Sequence, residues 1–511
     1  MRQGKNTRAK NKMTQFYSQI LKPTIENIAK FSDRNAFCIN GKFHTYHEFG
    51  QAVSQVRFLI SDATFQNRNV GLVINDDLET YASIFALWLE GCSYVPLHPN
   101  WPLERCLDIA SQVGMDLILD SSEKTRYNNN VIKTSGQQPC RDNLKYDDNC
   151  PDGDIAYILF TSGSTGKPKG VQLSRENIGA FMDSFWKTGI SINENDRCLQ
   201  CFDLTFDVSV QSFLVPLTKG ACCFTIPNGQ IKYIYAGGLI EDYKLTFGAM
   251  APSMARYLKP YFDEIDLSSL RCCIFTAEAC PLALIEEWQT VAPNADIYDF
   301  YGPTEATIYC TYYSLSKGGA NKTLNGIISI GKPMANVTAI IIDEQGDIVP
   351  RGTKGELCVA GAQVTPGYLN NPTKNAESFF EKEYEGQIMR FYHTGDLCYE
   401  DPDGDIMYSG RLDHQAKIQG FRVEMGEIEF HAREFLNGTN TVCIAFENAK
   451  GLTEIAMFVE SSEFDTSGLM VYMKTKMPQY MIPHHVYFEP TFPLNANGKI
   501  DKVVLKSKIR N

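Results

Sequence analysis

Hydrophobic positions along this chain alternate between two periodicities, one typical of buried strands and one typical of helices. Residues 69–74 (NVGLVI) form a short apolar run that predicts a strand, and residues 115–119 (MDLIL) predict another. Between them, residues 81–90 have helical apolar spacing and are followed by Gly91, a residue that commonly ends a helix. Because strands that alternate with helices favour parallel sheets, the first part of the chain is predicted as α/β.

The pattern changes twice further along. Residues 120–154 are polar and rich in Asn and Asp, which predicts a surface connection before the alternation resumes to about Pro293. Residues 337–343 (VTAIIID) and 356–360 (ELCVA) then predict strands of a small β-rich region, and mixed patterns return after Glu424. Since 511 residues exceed one ordinary hydrophobic core, several domains are expected.

Charge and cysteine content narrow the class of protein. A net charge of -12 argues against the broad basic face that non-specific nucleic-acid binding requires. No apolar run approaches the roughly 18 residues of a membrane helix, so we expect no membrane insertion. The basic residues 1–13 lack a following apolar segment and predict a disordered leader. The 16 cysteines, including the Cys198-x-x-Cys201 pair, are therefore expected to be reduced thiols of a cytoplasmic protein rather than zinc ligands.

Residues 157–171 (YILFTSGSTGKPKGV) carry the strongest chemical signal. An apolar strand ends abruptly in small residues rich in hydrogen-bond donors, followed by lysines: Thr161, Ser162, Gly163, Ser164, Thr165, Gly166, Lys167 and Lys169. Backbone N–H groups of such a loop can approach phosphate oxygens, and the lysines supply compensating charge. The spacing differs from the Walker P-loop, because Pro168 follows Gly166-Lys167. A flexible surface turn is the alternative, but the order after a strand predicts a site for a polyphosphate such as ATP.

Further segments follow in a fixed order: WLEGCSYVPLHP at 88–99, YGPTE at 301–305, YHTGD at 392–396, GRLDHQAKIQGFRVEMGEIE at 410–429, YMIP at 480–483 and NANGKID at 495–501. Together with the glycine loop, they resemble the adenylate-forming superfamily, and within it the amino-acid-activating adenylation domains. These include the domains of nonribosomal peptide synthetases and the stand-alone D-alanine–carrier protein ligases. The resemblance spans about Thr45 to Asp501.

The resemblance implies a fold and a two-step reaction. Residues 1–412 would form a large domain of α/β subdomains plus a β-barrel, and 413–511 a small mobile α+β domain that turns about Asp413. A carboxylate would attack the α-phosphate of ATP, and a phosphopantetheine thiol would then take the acyl group. Phosphoryl transfer depends mostly on positioning and charge stabilisation, which the residues present can supply.

The resemblance also assigns roles to residues. Thr161, Glu305 and Lys499 would be catalytic, with Glu305 linked to Mg²⁺, an ion that prefers such oxygen ligands. Lys499 would neutralise charge between carboxylate and α-phosphate, although a lysine near a basic terminus is ordinarily only exposed. The nucleotide would contact the glycine loop from Thr161 to Gly166 with Lys169, and further Glu278, Asp299, Phe300, Tyr301, Gly302, Pro303, Thr304, Asp396, Tyr408, Arg411 and Lys499. Asp396 would accept the ribose hydroxyls.

Residues 206–209 (FDVS) match the amino-acid branch, in which the aspartate binds the substrate ammonium. A buried carboxylate is costly without a partner, so an ammonium is a sensible ligand for Asp207. Two alternatives are open: Asp207 could instead cap a helix start, and Asp203 could take its role.

The substrate side chain would be surrounded, by position, by six residues and approached by Lys499: Val208, Gln211, Ala277, Phe300, Ile308 and Tyr309. The bulk of Phe300 and Tyr309 favours a small amino acid such as alanine, glycine or serine, whereas Gln211 could read a polar group. Residues 365–380 resemble the corresponding segment of the D-alanine ligases, whereas VEMGEIE resembles that of the peptide synthetases. The two signals disagree, and D-alanine is slightly favoured as the substrate.

Three departures from the family pattern and two rival functions are also open. His98 replaces an aspartate, interpreted as structural drift; Asp299 replaces an asparagine; and Glu278 lies in a less glycine-rich segment. An acid–CoA ligase for a non-amino acid would not need Asp207, and a non-catalytic adenylate-binding protein would not need Lys169, Glu305, Asp396 and Lys499. Because the chain ends soon after Asp501, a separate phosphopantetheinylated carrier protein is expected as partner.

Overall fold

The computed structural model describes residues 13–128, 130–136, 143–145, 153–163, 166–412, 415–494 and 500–509. Elements of the first part alternate as α1 (Lys22–Lys30), β1 (Asn35–Ile39), β2 (Lys42–Thr45), α2 (Tyr46–Ser61), β3 (Asn69–Val73), α3 (Leu78–Leu89), β4 (Ser93–Leu97), α4 (Leu103–Val113), β5 (Ile118–Asp120) and β6 (Val131–Lys133). Helix α2 begins with a capping box between Thr45 and Glu48, and α3 with an Asp77 cap, as their sequences favour.

The second part continues the alternation of strands and helices. It comprises β7 (Ile155–Thr161), β8 (Lys169–Ser174), α5 (Arg175–Trp186), β9 (Arg197–Gln200), α6 (Asp207–Leu217), β10 (Cys222–Thr225), α7 (Lys232–Tyr243), β11 (Phe247–Met250), α8 (Pro252–Leu258), β12 (Cys272–Thr276), α9 (Leu282–Val291) and β13 (Asp296–Tyr301).

The third part is mostly β-structure. Its elements are β14 (Thr311–Ser314), β15 (Thr323–Leu324), β16 (Ile327–Ile328), β17 (Lys332–Pro333), β18 (Val337–Ile342), β19 (Gly355–Gly361), β20 (Gly367–Tyr368), α10 (Pro372–Ser378), β21 (Phe379–Tyr384), β22 (Gln387–Glu400) and β23 (Ile406–Arg411). Where the resemblance implied a barrel, β18, β19, β22, β21 and β23 form a five-stranded antiparallel sheet.

Two larger sheets, of nine and seven strands, combine strands of these three parts. Their orders are β17-β14-β13-β12-β11-β9-β10-β1-β2 and β20-β8-β7-β4-β3-β5-β6. The inner strands of both sheets are parallel, as predicted from the alternation with helices.

The fourth part is a hairpin followed by a small α+β unit. It contains β24 (Gln415–Ile418), β25 (Phe421–Glu424), α11 (Met425–Phe435), β26 (Thr441–Glu447), β27 (Thr453–Glu460), α12 (Ser467–Lys476), β28 (His485–Glu489) and α13 (Lys502–Ser507). Strands β26, β27 and β28 form one sheet, and their apolar faces pack with α11 and α12 into a core of their own. The domain boundary at 412/413 stays a prediction.

Several element predictions are confirmed, and two need correction. The strand at 69–74, the helix at 81–90 and both β-rich strands are observed, and Gly91 has the positive φ of 70° that suits a helix end. The second strand lies at Ile118–Asp120 rather than 115–119, because Met115 and Leu117 pack into the core before the ladder begins. The connection at 120–154 also contributes β6 to the sheet edge.

The cysteines behave as the composition predicts. Fourteen described cysteines have free thiols, and all but Cys222 are buried, Cys198 and Cys201 included. In the parts of the chain that the structure covers, none of the helices has the length and apolarity needed to cross a bilayer. Residues 1–12 of the predicted leader lie outside the described residues.

Candidate active site

The glycine loop is the turn between β7 and β8. Thr161 and Lys169 pair across this antiparallel hairpin. A Cβ atom at Gly163 would lie 2.1 Å from the carbonyl oxygen of Lys167, so no side chain fits there. The Thr161 hydroxyl is buried and has no hydrogen-bond partner among the described residues. A buried hydroxyl without a partner, next to main-chain amides that no side chain covers, is suited to bind a phosphate group. Ser164 and Thr165 lie outside the described residues.

Residues of the C-terminal part form hydrogen bonds with this loop. The Ser162 hydroxyl donates to the carbonyl oxygen of Arg422 at 3.0 Å and accepts from the Glu424 amide at 2.9 Å. The Gly163 amide donates to Oε2 of Glu427 at 3.0 Å. In this arrangement the Glu427 carboxylate therefore accepts from an amide that a phosphate oxygen would otherwise use.

Glu305 lies fully buried next to the loop. Its Oε1 accepts from the Tyr368 hydroxyl at 2.6 Å and its Oε2 from Arg422 at 2.9 Å. Burial alone would raise the pKa of this carboxyl, but Arg422 and Lys169 outweigh burial and lower the pKa to about 2. A carboxylate that stays ionised suits a hard cation such as Mg²⁺, and in this arrangement Arg422 supplies the positive charge instead.

A second buried carboxylate, Asp396, is held between two strands. It lies opposite Arg411 in the β22–β23 register, and Arg411 donates to its Oδ1 at 2.9 Å. The Tyr301 hydroxyl donates to its Oδ2 at 2.5 Å. Lys417 lies over the Tyr301 ring, 5.7 Å from its centre, and burial lowers the pKa of this lysine. The pair that the sequence predicts as the ribose contact is thus assembled, with both carboxylate oxygens of Asp396 hydrogen-bonded.

Asp207 is the first residue of α6 and is 5% exposed. The helix has no side-chain cap, so the alternative of a capping role is not observed. Its Oδ2 accepts from the Ile308 amide at 3.3 Å. Burial, opposed by hydrogen bonds from Thr304 and Ile308, raises the pKa of Asp207 to about 6. It therefore offers a negative charge at neutral pH that is only partly compensated.

Asp203, the alternative ammonium partner, is already engaged. His98 donates from Nε2 to its Oδ2 at 3.0 Å, and Thr205 donates to its Oδ1 from both amide and hydroxyl. Burial would raise the pKa of Asp203, yet these partners hold it below its usual range. The structure corrects the interpretation of His98 as drift, because its imidazole, stacked on Trp101, is a hydrogen-bond partner of a buried carboxylate.

Backbone strain fixes the wall that faces Asp207. Ala277, Thr307 and Ile308 have positive φ values of 68°, 58° and 69°, which β-branched residues rarely adopt. Gln363 braces this turn: its main-chain carbonyl oxygen accepts from the Thr307 hydroxyl, and its side-chain Nε2 donates to the Tyr309 carbonyl oxygen. Strain that neighbouring contacts enforce is typical of functional sites, and here it aims the Ile308 amide at Asp207.

The titration of Asp207 predicts a pH dependence. Below about pH 6 the carboxyl becomes protonated and loses the charge that an ammonium needs. At pH 5 about one molecule in ten keeps the carboxylate, so KM for an amino acid should rise about tenfold relative to pH 7. Initial rates at saturating ATP between pH 5 and 8 measure this. An Asp207→Asn variant should lack the rise, and a flat wild-type profile would contradict the assignment.

The predicted side-chain pocket is filled. Phe300 and Tyr309 pack with ring centres 4.9 Å apart, and the Tyr309 hydroxyl lies 3.4 Å from Oε1 of Gln211. Gln211 is fully buried, and its Nε2 has no partner in the described ranges. Of the six residues predicted around the substrate side chain, Val208 and Ala277 line a cavity of about 70 Å³ beside Asp207, which also borders Thr161 and Asp396. Gln211, Phe300 and Tyr309 are instead buried against one another.

The residues predicted to contact the nucleotide line two neighbouring cavities. Gly302, Pro303 and Thr304 line the small cavity with Thr161, Glu278 and Tyr408 line a neighbouring one of about 260 Å³, and Arg411 lines both. Glu278 accepts from Ser253 and from the Gly420 amide at 2.7 Å, so it also ties the hairpin β24–β25 to the large domain.

Asp299 is a departure that the structure makes intelligible. Burial raises its pKa well above the usual range. A protonated carboxyl offers one donor and one acceptor, much as the amide of asparagine does.

An Asp299→Asn variant should therefore keep KM for ATP within about threefold, since the hydrogen-bonding pattern is preserved. An Asp299→Ala variant should raise KM about tenfold, because a buried partner is lost. Steady-state kinetics with varied ATP measures both. A tenfold rise of KM for ATP in Asp299→Asn would show that an ionised carboxylate is needed at this position.

Sequence reasoning missed residues of the C-terminal part that enter the site: Lys417, Arg422, Glu424, Glu427 and, from β20, Tyr368. The charged residues alternate along KIQGFRVE around Gly420, a signal that strands of the hairpin present them to one side. Two predicted residues, Lys499 and Asp413, lie outside the described residues. Their catalytic and hinge roles stay predictions.

The sequence profile of the AMP-binding enzymes matches residues 25–369, the stretch that carries Asp207, Glu305 and the glycine loop. The chain belongs to this family of AMP-binding enzymes. It is 30% identical over 497 residues to tyrocidine synthase 3 of Brevibacillus parabrevis, and 30% identical over 489 residues to gramicidin S synthase 2 of Brevibacillus brevis. Each alignment covers 94% of this chain but only 7% and 11%, respectively, of those much longer proteins.

Solved AMP-binding structures share the fold. The Vibrio cholerae adenylation domain AlmE, in complex with glycyl-adenosine-5′-phosphate, matches with a TM-score of 0.82 at 26% identity, covering 95% of this chain and 97% of AlmE. NpsA-ThdA of Klebsiella oxytoca, an artificially fused adenylation–PCP di-domain, matches in fold with a TM-score of 0.80 at 23% identity, covering 94% of each chain. The fold class and the adenylate-forming family predicted from the sequence are confirmed.

Proposed function

We propose that this AMP-binding enzyme activates a small amino acid with ATP and transfers it to the phosphopantetheine thiol of a separate carrier protein. The observation that carries the proposal is Asp207, a buried carboxylate with a raised pKa beside the small cavity. Its neighbours on that cavity include Thr161 of the phosphate loop and Asp396 of the ribose contact. An ammonium placed against Asp207 would therefore be delivered next to the reacting phosphate.

In the first step a carboxylate oxygen of the amino acid attacks the α-phosphorus, and the bond to the bridging oxygen of pyrophosphate breaks. Asp207 orients the ammonium, Asp396 and Arg411 fix the ribose end, and Lys169 with the loop amides stabilises the leaving pyrophosphate. Glu305 is the residue that would hold Mg²⁺, which neutralises phosphate charge when bound. Lys499 is proposed to add charge at the α-phosphate.

In the second step the thiol sulfur attacks the acyl carbon, AMP leaves, and the thiol proton is released. The contact of Glu427, in α11, with the Gly163 amide supports an arrangement suited to this step, since it would form after pyrophosphate has gone. A cavity of about 500 Å³ meets the small cavity at Phe206 and Gly420, and its walls include Asp203 and Lys232. We propose it as the path of the thiol-bearing arm.

The substrate is proposed to be glycine or alanine, with D-alanine favoured among the enantiomers. Support comes from the packing of Phe300, Tyr309 and Gln211, whose buried side chains contact one another where a larger substrate side chain would lie. The likeness to AlmE, which was solved with glycyl-adenosine-5′-phosphate, agrees with a small side chain.

Amino-acid-dependent ATP–pyrophosphate exchange over a panel tests the proposal. Glycine, both alanine enantiomers and D-serine should support exchange, whereas phenylalanine and leucine should be at least tenfold poorer because the pocket is already packed. Exchange with no amino acid, together with CoA-dependent turnover of an aryl or fatty acid, would establish the rival acid–CoA ligase instead.

A further inference from the structure

One face of the five-stranded sheet brings a glutamate, a cysteine and a histidine together. Glu356 and Cys358 lie two residues apart on β19, and Cys358 is directly opposite His393 of β22. The imidazole Nδ1 of His393 lies 3.7 Å from the Cys358 sulfur and 2.8 Å from Oε2 of Glu356. All three donor atoms lie within 4.8 Å of one another. None of these side chains has a role in the reaction proposed above.

The spacing is close to that of a tetrahedral zinc site. Zinc bonds of about 2.3 Å to sulfur and 2.0 Å to nitrogen or oxygen place neighbouring ligand atoms about 3.3–3.6 Å apart. The observed sulfur–nitrogen distance of 3.7 Å agrees with this, and the nitrogen–oxygen distance of 2.8 Å would need to open by about half an ångström. Thiolate together with imidazole favours zinc and related transition metals over Mg²⁺ or Ca²⁺.

Neighbouring residues hold the three candidate ligand side chains in place, and two of the three reach solvent. Phe380 packs on the His393 ring with centres 4.4 Å apart, and Oε1 of Glu356 accepts from the Gly395 amide at 2.9 Å. Outer contacts of this kind orient metal ligands. The side chains of His393 and Glu356 are 32% and 20% exposed, so an ion can enter, whereas Cys358 is buried. Burial raises the pKa of the Cys358 thiol, so the ion must displace its proton.

We propose that Glu356, Cys358 and His393 form a binding site for one Zn²⁺, with water as the fourth ligand. The site is separate from the proposed reaction but mechanically linked to it, because Glu356 also holds Gly395, the residue before Asp396. Bound zinc would fix the position of Glu356 and thereby that of the stretch of β22 that presents Asp396 to the ribose.

Titration of the full-length protein with Co²⁺ tests this site. One equivalent should produce the near-ultraviolet thiolate-to-cobalt band and the visible bands of a tetrahedral ion, and Zn²⁺, but not Mg²⁺, should bleach them. A Cys358→Ser variant should lose the thiolate band. The matched control Cys443→Ser, which changes a buried thiol of the C-terminal sheet, should keep it.

A His393→Gln variant gives a second test in case Cys358→Ser fails to fold, because His393 is partly exposed and its replacement should disturb folding less. It should weaken cobalt binding at least tenfold while the protein retains its circular dichroism spectrum. Absence of the thiolate band in the wild type, its persistence in Cys358→Ser, or undiminished binding in His393→Gln would each overturn the proposal. These readouts do not depend on activity, so they stand apart from the proposed function.

Discussion

Replacing Asp207 with asparagine is expected to lower kcat/KM for the amino acid about 10³-fold, because a buried ammonium would lose its charged partner, a loss of about 3–5 kcal/mol. The side chain keeps its size, so α6 and the packing around it should persist. Amino-acid-dependent pyrophosphate exchange measures the loss. ATP affinity, followed by equilibrium binding of the nucleotide alone, should change less than threefold, because Asp207 lies on the amino-acid side of the site.

Asp203→Asn is the matched control, since Asp203 is also buried and lies four positions earlier. His98 and Thr205 already satisfy Asp203, so its replacement should affect stability more than amino-acid KM. If Asp203→Asn abolished exchange and Asp207→Asn did not, Asp203 rather than Asp207 would be the carboxylate that binds the ammonium.

Replacing Glu427 with glutamine is expected to separate the two half-reactions. Glu427 is fully buried in this arrangement, where it pairs with Arg105 at 2.6 Å and accepts from the Gly163 amide. Loss of its charge would leave Arg105 buried and unpaired, which costs about 3–5 kcal/mol and disfavours this arrangement. Thioester formation should therefore fall about 10²-fold or more, whereas pyrophosphate exchange should be kept or should rise.

Single-turnover transfer from preformed adenylate to a pantetheine thiol measures the second step, and exchange measures the first. Glu434→Gln is the control, because Glu434 lies on the same helix but contacts Tyr472 within the C-terminal part. Equal losses of exchange and transfer in Glu427→Gln, with Glu434→Gln unaffected, would show that the contact does not distinguish the two steps.

The order of motifs was enough to predict the family and the site on the large domain. Asp207, Glu305, Asp396 and Arg411 were each located by the sequence motif that contains the residue, and not by a predicted strand. The sequence could not show that the Thr307–Ile308 turn is strained, since φ depends on packing around Gln363. It also could not show which carboxylate is satisfied: Asp203 and Asp207 look alike until His98 is placed.

The contacts between the C-terminal part and the site were beyond sequence reasoning for another reason. Arg422 contacts Glu305 and Glu427 contacts Gly163 across separations of 117 and 264 positions. Such pairs arise from the tertiary packing of distant segments, and local periodicity carries no information about that packing. Residues 417–424 (KIQGFRVE) belong to one of the family motifs, but only the folded chain shows that Arg422 and Glu424 contact Ser162 of the phosphate loop.

Attack of an amino-acid carboxylate on the α-phosphate of ATP would transfer a carboxylate oxygen to AMP. This transfer can be followed with the amino acid that gives the fastest exchange, labelled with ¹⁸O in its carboxylate, and mass spectrometry of the products after transfer to a thiol. We expect one labelled oxygen in AMP and none in pyrophosphate. Label in a released phosphate, or AMP without label, would show that the carboxylate does not attack the α-phosphate.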